Sequence, residues 1–164
     1  MIEKLKKLIK VASPGFTLTE LIIIIILIGI FATIAMMRTR DGLSTIQQQI
    51  AIDQITSDID LVRSMSFARH DTITIVFSTN NNQYSILLGP DEARTLISDF
   101  PNSNNGVISF NNATFRNVNI SNTNFSGSSE LQFLPLGEPK SGGIIVLNSK
   151  TITIEDITGK WSVN

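Results

Sequence analysis

Few side chains in this 164-residue chain are of types that carry catalysis or bind metals. There is no cysteine, which excludes a thiol nucleophile and a thiolate metal site. His70 is the only histidine, so no second imidazole can complete a dyad or a metal site, and we expect it to cap a helix. No serine stands in a G-x-S-x-G elbow, and no phosphate-binding loop is present. We therefore expect a protein that is not an enzyme and that holds no cofactor or metal.

Three acidic residues, Asp53, Asp58 and Asp60, lie close together in the sequence. Their spacing matches no calcium-binding loop, and on a helix they would not share one face. We therefore expect these carboxylates on a solvated helix face.

Glu20 is unusual because it lies just inside a long apolar run. Residues 21–37 read LIIIIILIGIFATIAMM, in which Thr33 has the only polar side chain. A carboxylate at the edge of a membrane is costly without a partner. Three interpretations are open: a removable secretory signal with Ala32 and Ala35 near its cleavage site, a plain membrane anchor, or a processed precursor that gives Glu20 a partner.

The third interpretation rests on a resemblance. The segment SPGFTLTELIIIIILIGI resembles the type IV prepilin signature, in which Gly and Phe precede Thr-Leu-x-Glu-Leu and a long apolar helix. The resemblance implies that a prepilin peptidase cleaves after Gly15 and methylates the new N-terminal residue, Phe16. It also implies that Glu20 pairs with the terminal ammonium group of a neighbouring subunit during assembly. Pro14 departs from the pattern, because the family often has a basic residue there.

The charges around the apolar run predict an orientation in the membrane. Residues 1–10 carry four lysines and one glutamate, and the positive balance after the run is weaker. The positive-inside rule therefore places the N-terminus in the cytoplasm. The run is long enough to span a bilayer. We expect a single-pass protein of the bacterial inner membrane, with its C-terminal module periplasmic or extracytoplasmic.

Beyond the apolar run the pattern becomes periodic. Apolar residues recur mostly at steps of three and four, which predicts an amphipathic helix with one core-facing stripe. The stripe consists of Leu43, Ile46, Ile50, Ile55, Ile59, Val62 and Met65. Because no proline interrupts the pattern, we expect one helix from about Phe16 to about Arg69.

The rest of the chain alternates short β-rich runs with clusters of Asn, Gly and Pro, which predicts antiparallel strands. The predicted strands are 72–78, 83–88, 107–110, 114–120, 131–134, 143–147, 151–157 and 160–163. We expect Trp161 to fill the core. The fold class is then α+β, with a long N-terminal helix packed on a C-terminal antiparallel β module. The domains would be a leader (1–15), a transmembrane half-helix (16–40), an amphipathic half-helix (41–70) and the β module (71–164).

A narrower resemblance lies near the C-terminus. LQFLPLGEPKSGGIIVL (131–147) and TITIEDITGKWSV (151–163) resemble the GspH/FimT family. This implies a structural minor pilin or pseudopilin that joins, or primes assembly of, a type IV pilus or type II secretion pseudopilus. Its partners would be the prepilin peptidase, other pilins through the N-terminal helix, and the inner-membrane assembly machinery. The alternative is a tip adhesin or DNA-uptake subunit, but a net charge of −1 disfavours DNA.

Overall fold

A computed structural model describes residues 15–164, without the side chains of residues 37–42. The chain forms two compact units, one ending at Asp41 and one running Gly42–Asn164. The leader assigned to residues 1–15 lies outside the described residues, apart from Gly15. Helix α1, Leu18–Arg69, includes residues of both units. Its first part, Leu18–Met36, has a mean hydropathy of 2.7 and is long and apolar enough to cross a membrane.

Nine strands follow the helix in two antiparallel sheets. They are β1 (Ile73–Ser78), β2 (Gln83–Leu88), β3 (Thr95–Leu96), β4 (Val107–Ser109), β5 (Ile120–Asn124), β6 (Glu130–Phe133), β7 (Gly143–Leu147), β8 (Lys150–Ile154) and β9 (Trp161–Val163). The first sheet has the order β3-β2-β1-β6, and β4 also pairs with β2. The second sheet has the order β5-β7-β8-β9. The α+β prediction is therefore confirmed.

One face of the C-terminal part of α1 contributes to the core of the second unit. Its buried apolar side chains are Ala51, Ile52, Ile55, Ile59 and Val62. They pack with apolar residues of both sheets in a single hydrophobic cluster. The helix and the β module are therefore held together by burial of apolar surface.

The predicted core-facing stripe is wrong in its first part. Leu43, Ile46 and Ile50 are 53%, 58% and 42% exposed, respectively. For Ile50 the reason is the step of five to Ile55, which turns the helix by about 140° beyond a full turn. At Leu43 and Ile46 the helix is exposed on every side, since residues 43–46 are all exposed. The pattern therefore contains two stripes on different faces, and only the second one contacts the β module.

The Asn-rich middle of the chain also differs from the prediction. The sequence predicts a strand over 114–120, but the chain turns there, with Val118 N donating to Phe115 O at 3.0 Å, and β5 begins only at Ile120. Phe115 and Val118 are buried three residues apart, as in a turn, whereas side chains of a strand share a face at every second residue. Phe115 and Val118 therefore anchor a loop to the core and are not part of a strand.

A buried asparagine holds that loop in place. Asn82, in the turn between β1 and β2, donates from Nδ2 to Val118 O at 2.7 Å. Its Oδ1 accepts from Ile120 N at 2.8 Å. The side-chain amide thereby satisfies two buried backbone groups that have no strand partner at this point.

Candidate assembly site

A capping box fixes the start of α1. The Thr17 hydroxyl oxygen accepts a hydrogen bond from Glu20 N at 3.2 Å. In return, Thr17 N and Thr17 Oγ1 each donate to Glu20 Oε2 at 2.9 Å. This reciprocal pairing satisfies N–H groups that a helix leaves unpaired at its first turn. Glu20 therefore has local partners, and the signal that reveals them is the Thr-x-x-Glu spacing in TLTE.

The residues predicted to flank the leader cleavage lie just before this helix start. Gly15 and Phe16 are outside α1, and both are exposed. The capping threonine separates them from the helix, so the backbone between them is not enclosed in helical hydrogen bonds. Gly15, Phe16 and Glu20 lie close together in the sequence, around the start of α1, and Glu20 bonds to Thr17 and to neither of the other two.

Leu43, Ile46 and Ile50 form an exposed apolar stripe, the outer stripe, on α1 within the second unit. At about 100° per residue these side chains lie within about 60° of one another and roughly opposite the buried Ile55, Ile59 and Val62 positions. The β module does not cover them. An exposed aliphatic stripe of this kind marks a surface suited to contact with another apolar partner.

Asp58, expected on a solvated face, is buried instead. Tyr84 Oη donates to Asp58 Oδ2 at 2.5 Å, and Gln54 Nε2 donates to both carboxylate oxygens at 2.9 Å. Burial raises the pKa of Asp58, and the bonds from Tyr84 and Gln54 oppose that rise. Burial and the adjacent carboxylate raise the pKa of Tyr84 well above its ordinary value. This network joins α1 to β2.

Trp161 does not fill the core. It is 39% exposed, and its Nε1 donates to Asp60 Oδ2 at 3.1 Å. His70 ends α1 through its backbone, with φ of 51° and a bond from Asp71 N to Ser66 O at 3.3 Å. A residue with positive φ after the last helical turn is the usual helix stop.

Charged side chains line one cleft of about 360 Å³ on the β module. Arg94 bonds to Asp91 and, at 2.8 Å, to Glu130, while Lys140 Nζ lies 3.1 Å from Asp91. Hydrogen bonds from Arg94, Gln132 and Lys140 hold the pKa of Asp91 well below its usual range. The charges neutralise one another, so the cluster ties the 89–94 loop to β6. Among residues 15–164, no group of three or more His, Cys, Asp or Glu residues could hold a metal ion.

The arrangement of one helix and two antiparallel sheets matches solved structures of the minor pseudopilin EpsH from the type 2 secretion system of Vibrio cholerae. One match has a TM-score of 0.57 at 7% identity, covering 72% of this chain and 95% of that one. Another has a TM-score of 0.54 at 8% identity, covering 71% and 94%. This chain has the minor-pseudopilin fold. No protein-family model and no curated protein sequence matches it.

The minor-pseudopilin fold accounts for the coarse architecture but not for individual residues, because identity this low shows the fold alone. The capping box, the outer stripe and the Asp58 network are therefore assigned from this chain's own residues. The capping box and the outer stripe are exposed on α1, whereas the Asp58 network, which joins α1 to β2, is buried. The candidate site for assembly is accordingly the helix and not a cleft of the β module.

Proposed function

We propose that this chain is a structural subunit of a membrane-anchored filament, a minor pilin or a type II secretion pseudopilin. The outer stripe is the observation that carries the proposal. Leu43, Ile46 and Ile50 would remain in water beyond the membrane span unless another surface covered them. The apolar helix of a neighbouring subunit fits, because helices pack by fitting ridges of side chains into each other's grooves.

In this proposal the chain crosses the bacterial inner membrane once, with a cytoplasmic N-terminus and the β module on the other side. Prepilin peptidase cleaves after Gly15 and methylates Phe16, and the inner-membrane assembly machinery then takes up the subunit. The exposed, non-helical position of both residues supports this step. Glu20 would exchange its bonds with Thr17 for the ammonium group of a neighbouring subunit, which neutralises both charges at the apolar boundary.

Between the two filament types, the similarity to a minor pseudopilin of a type 2 secretion system supports a pseudopilus. A minor subunit of this kind would join the filament in few copies or prime its assembly. In such a role the helix would supply the contacts between subunits, and the β module would face outward.

Replacing Ile46 and Ile50 together with serine should sharply reduce incorporation of the subunit into the filament. Each side chain contributes about 1.5–3 kcal/mol when buried, so we expect at least about tenfold lower incorporation. Folding should be unaffected because both side chains are exposed in the single chain. The measurement is the amount of this chain in sheared, purified filaments, relative to the amount in the membrane fraction.

The matched control replaces Leu136 and Ile157, which are also large, apolar and exposed but lie on the β module, with serine. This variant should be incorporated as well as the native chain. Equal incorporation of both double variants would contradict the assignment of the outer stripe. Absence of the native chain from every filament preparation would contradict the proposed function itself.

Replacing Glu20 with glutamine separates its charge from its role in the capping box. Glutamine still fits the box at this position, so the helix should start at the same residue. The ammonium group of a neighbour, however, would lose its counter-charge. We expect normal removal of the leader, seen as an N-terminal sequence beginning at Phe16, together with at least about tenfold less incorporation into filaments.

Two results would contradict parts of the proposal. If the native chain still begins at Met1 in cells with an active prepilin peptidase, the processing step is wrong. A Glu20→Gln chain that is processed and incorporated normally would show that the carboxylate only caps the helix.

A further inference from the structure

Asn105 and Gly106 form the tip of a tight turn that leads into β4. The flanking residues exchange two backbone hydrogen bonds, Asn104 N to Val107 O at 2.8 Å and Val107 N to Asn104 O at 3.2 Å. Asn105 has a φ of 51° and Gly106 a φ of 80°. Two successive positive φ angles define a type I′ turn, for which Asn-Gly is the preferred pair. The Asn105 side chain is exposed.

The same pair of residues is chemically labile. The backbone nitrogen of Gly106 can attack the side-chain carbonyl carbon of Asn105, because glycine has no side chain to shield that nitrogen. A C–N bond forms, the side-chain nitrogen leaves as ammonia, and a cyclic imide results. Water then opens the imide at either carbonyl, which gives aspartate or isoaspartate. In sum, asparagine and water yield a carboxylate and ammonia.

We propose that Asn105 is a site of spontaneous deamidation and that the Ser103 hydroxyl protects it in the folded chain. Asn105 is the only asparagine in the sequence that precedes a glycine. Gly106 N donates to Ser103 Oγ at 3.1 Å, and Ser103 Oγ in turn donates to Phe100 O at 2.6 Å. The attacking nitrogen is therefore held by a fixed hydroxyl, and the turn must open before it can reach the Asn105 side chain.

The product would not fit the native turn. Isoaspartate adds one carbon to the backbone and one negative charge. The space around the turn is tight, since a Cβ atom placed on Gly106 would lie 2.6 Å from Ile97 O and 2.8 Å from Leu96 Cγ. The lengthened turn would therefore displace either β3 or β4, both of which pair with β2. Molecules in which Asn105 has converted would therefore have a less well-paired edge in the first sheet.

The experiment ages the full chain in detergent micelles at 37 °C and mildly alkaline pH. Peptide mapping by mass spectrometry locates and quantifies the conversion over time. We expect Asn105 to convert first, at least about tenfold faster in urea-unfolded chain than in folded chain, because folding restrains the turn. Ser103→Ala should raise the folded-state rate several-fold and leave the unfolded-state rate unchanged.

Two controls make the result decisive. Ser103→Thr keeps the hydroxyl and should retain the slow folded-state rate. Asn148, which precedes a serine in another turn, serves as an internal reference within every sample. Equal rates for the folded native chain and folded Ser103→Ala would overturn the protective role. Faster conversion at Asn148 than at Asn105 in the unfolded chain would overturn the site itself. Neither outcome depends on the filament role.

Discussion

An Asn82→Ala variant should lose about 3 kcal/mol in its free energy of unfolding, because two buried backbone groups lose their partners at about 1–3 kcal/mol each. Those groups are Val118 C=O and Ile120 N–H, and both residues are only 2% exposed. Water cannot replace the amide without opening the loop between β4 and β5. The fluorescence of Trp161, the single tryptophan, reports unfolding during a urea titration of the full chain in detergent micelles.

Two further variants separate the causes. Asn82 has a φ of 49°, a conformation in which alanine is strained by roughly 1 kcal/mol. Asn82→Gly removes that strain but not the loss of hydrogen bonds, so it should remain clearly destabilised. Asn80→Ala changes an exposed residue of the same turn and should be within about 0.5 kcal/mol of the native chain. Equal stability of Asn82→Ala and Asn80→Ala would show that the amide does not hold the loop.

A second asparagine, Asn148 in a turn of the second sheet, holds the same loop through bonds from its side-chain amide. In the turn between β7 and β8, Asn148 Oδ1 accepts from Asn119 N at 2.9 Å, and Asn148 Nδ2 donates to Asn117 O at 2.7 Å. The loop before β5 is thus held by a side-chain amide from each sheet. This arrangement gives the Asn-rich stretch a structural explanation, because asparagine can both adopt positive φ and imitate a backbone peptide group.

The strands that could be predicted from the sequence are those whose partners are close in the chain. β1 with β2 and β7 with β8 are hairpins, and each strand lies within a few residues of its predicted range. The short strand β3 was missed, since its two residues are exposed and take their conformation from pairing with β2. Local patterns indicate a strand, but only distant partners decide where an isolated one begins.

The sequence predicted the buried and exposed faces of α1 less well than it predicted these strands. Periodicity predicted a helix correctly, yet it merged the outer stripe with the core stripe. It also placed Asp58 in solvent, although Asp58 is only 4% exposed and lies about 60° from Ile55 around the helix. A sequence shows which residues share a face but not which face meets the sheet. Burial of Asp58 is explained by its hydrogen bond from Tyr84, which lies on a strand distant in the sequence.

A Tyr84→Phe variant should lose about 2 kcal/mol in its free energy of unfolding at neutral pH. The phenol hydroxyl is a hydrogen-bond donor to a buried carboxylate, and such bonds contribute about 1.5–3 kcal/mol. Without it, Asp58 keeps only the bonds from Gln54. The ring itself still fills its site against Phe77 and Phe110, so the loss arises from the hydroxyl alone. Urea titration at neutral pH measures it.

The pH dependence follows from the raised pKa of Asp58. In the folded chain the carboxyl binds its proton more tightly than in the unfolded chain, so its protonated form favours folding. That contribution is fully present below the unfolded pKa, near 3.8, and is lost as the pH rises through the higher folded value. Asp58→Asn carries no titrating proton. The stability of Asp58→Asn relative to the native chain should therefore increase from acidic to neutral pH.

Combining the two substitutions tests whether the hydroxyl and the carboxylate act on each other. Asparagine can still accept from Tyr84, but it carries no charge that must be solvated. The loss caused by Tyr84→Phe should therefore be smaller in the Asp58→Asn background, with a coupling energy of about 1 kcal/mol or more at neutral pH. The coupling should shrink at acidic pH, where Asp58 is protonated in the native chain. Additive losses at every pH would show that burial of the tyrosine, and not its bond to Asp58, joins α1 to β2.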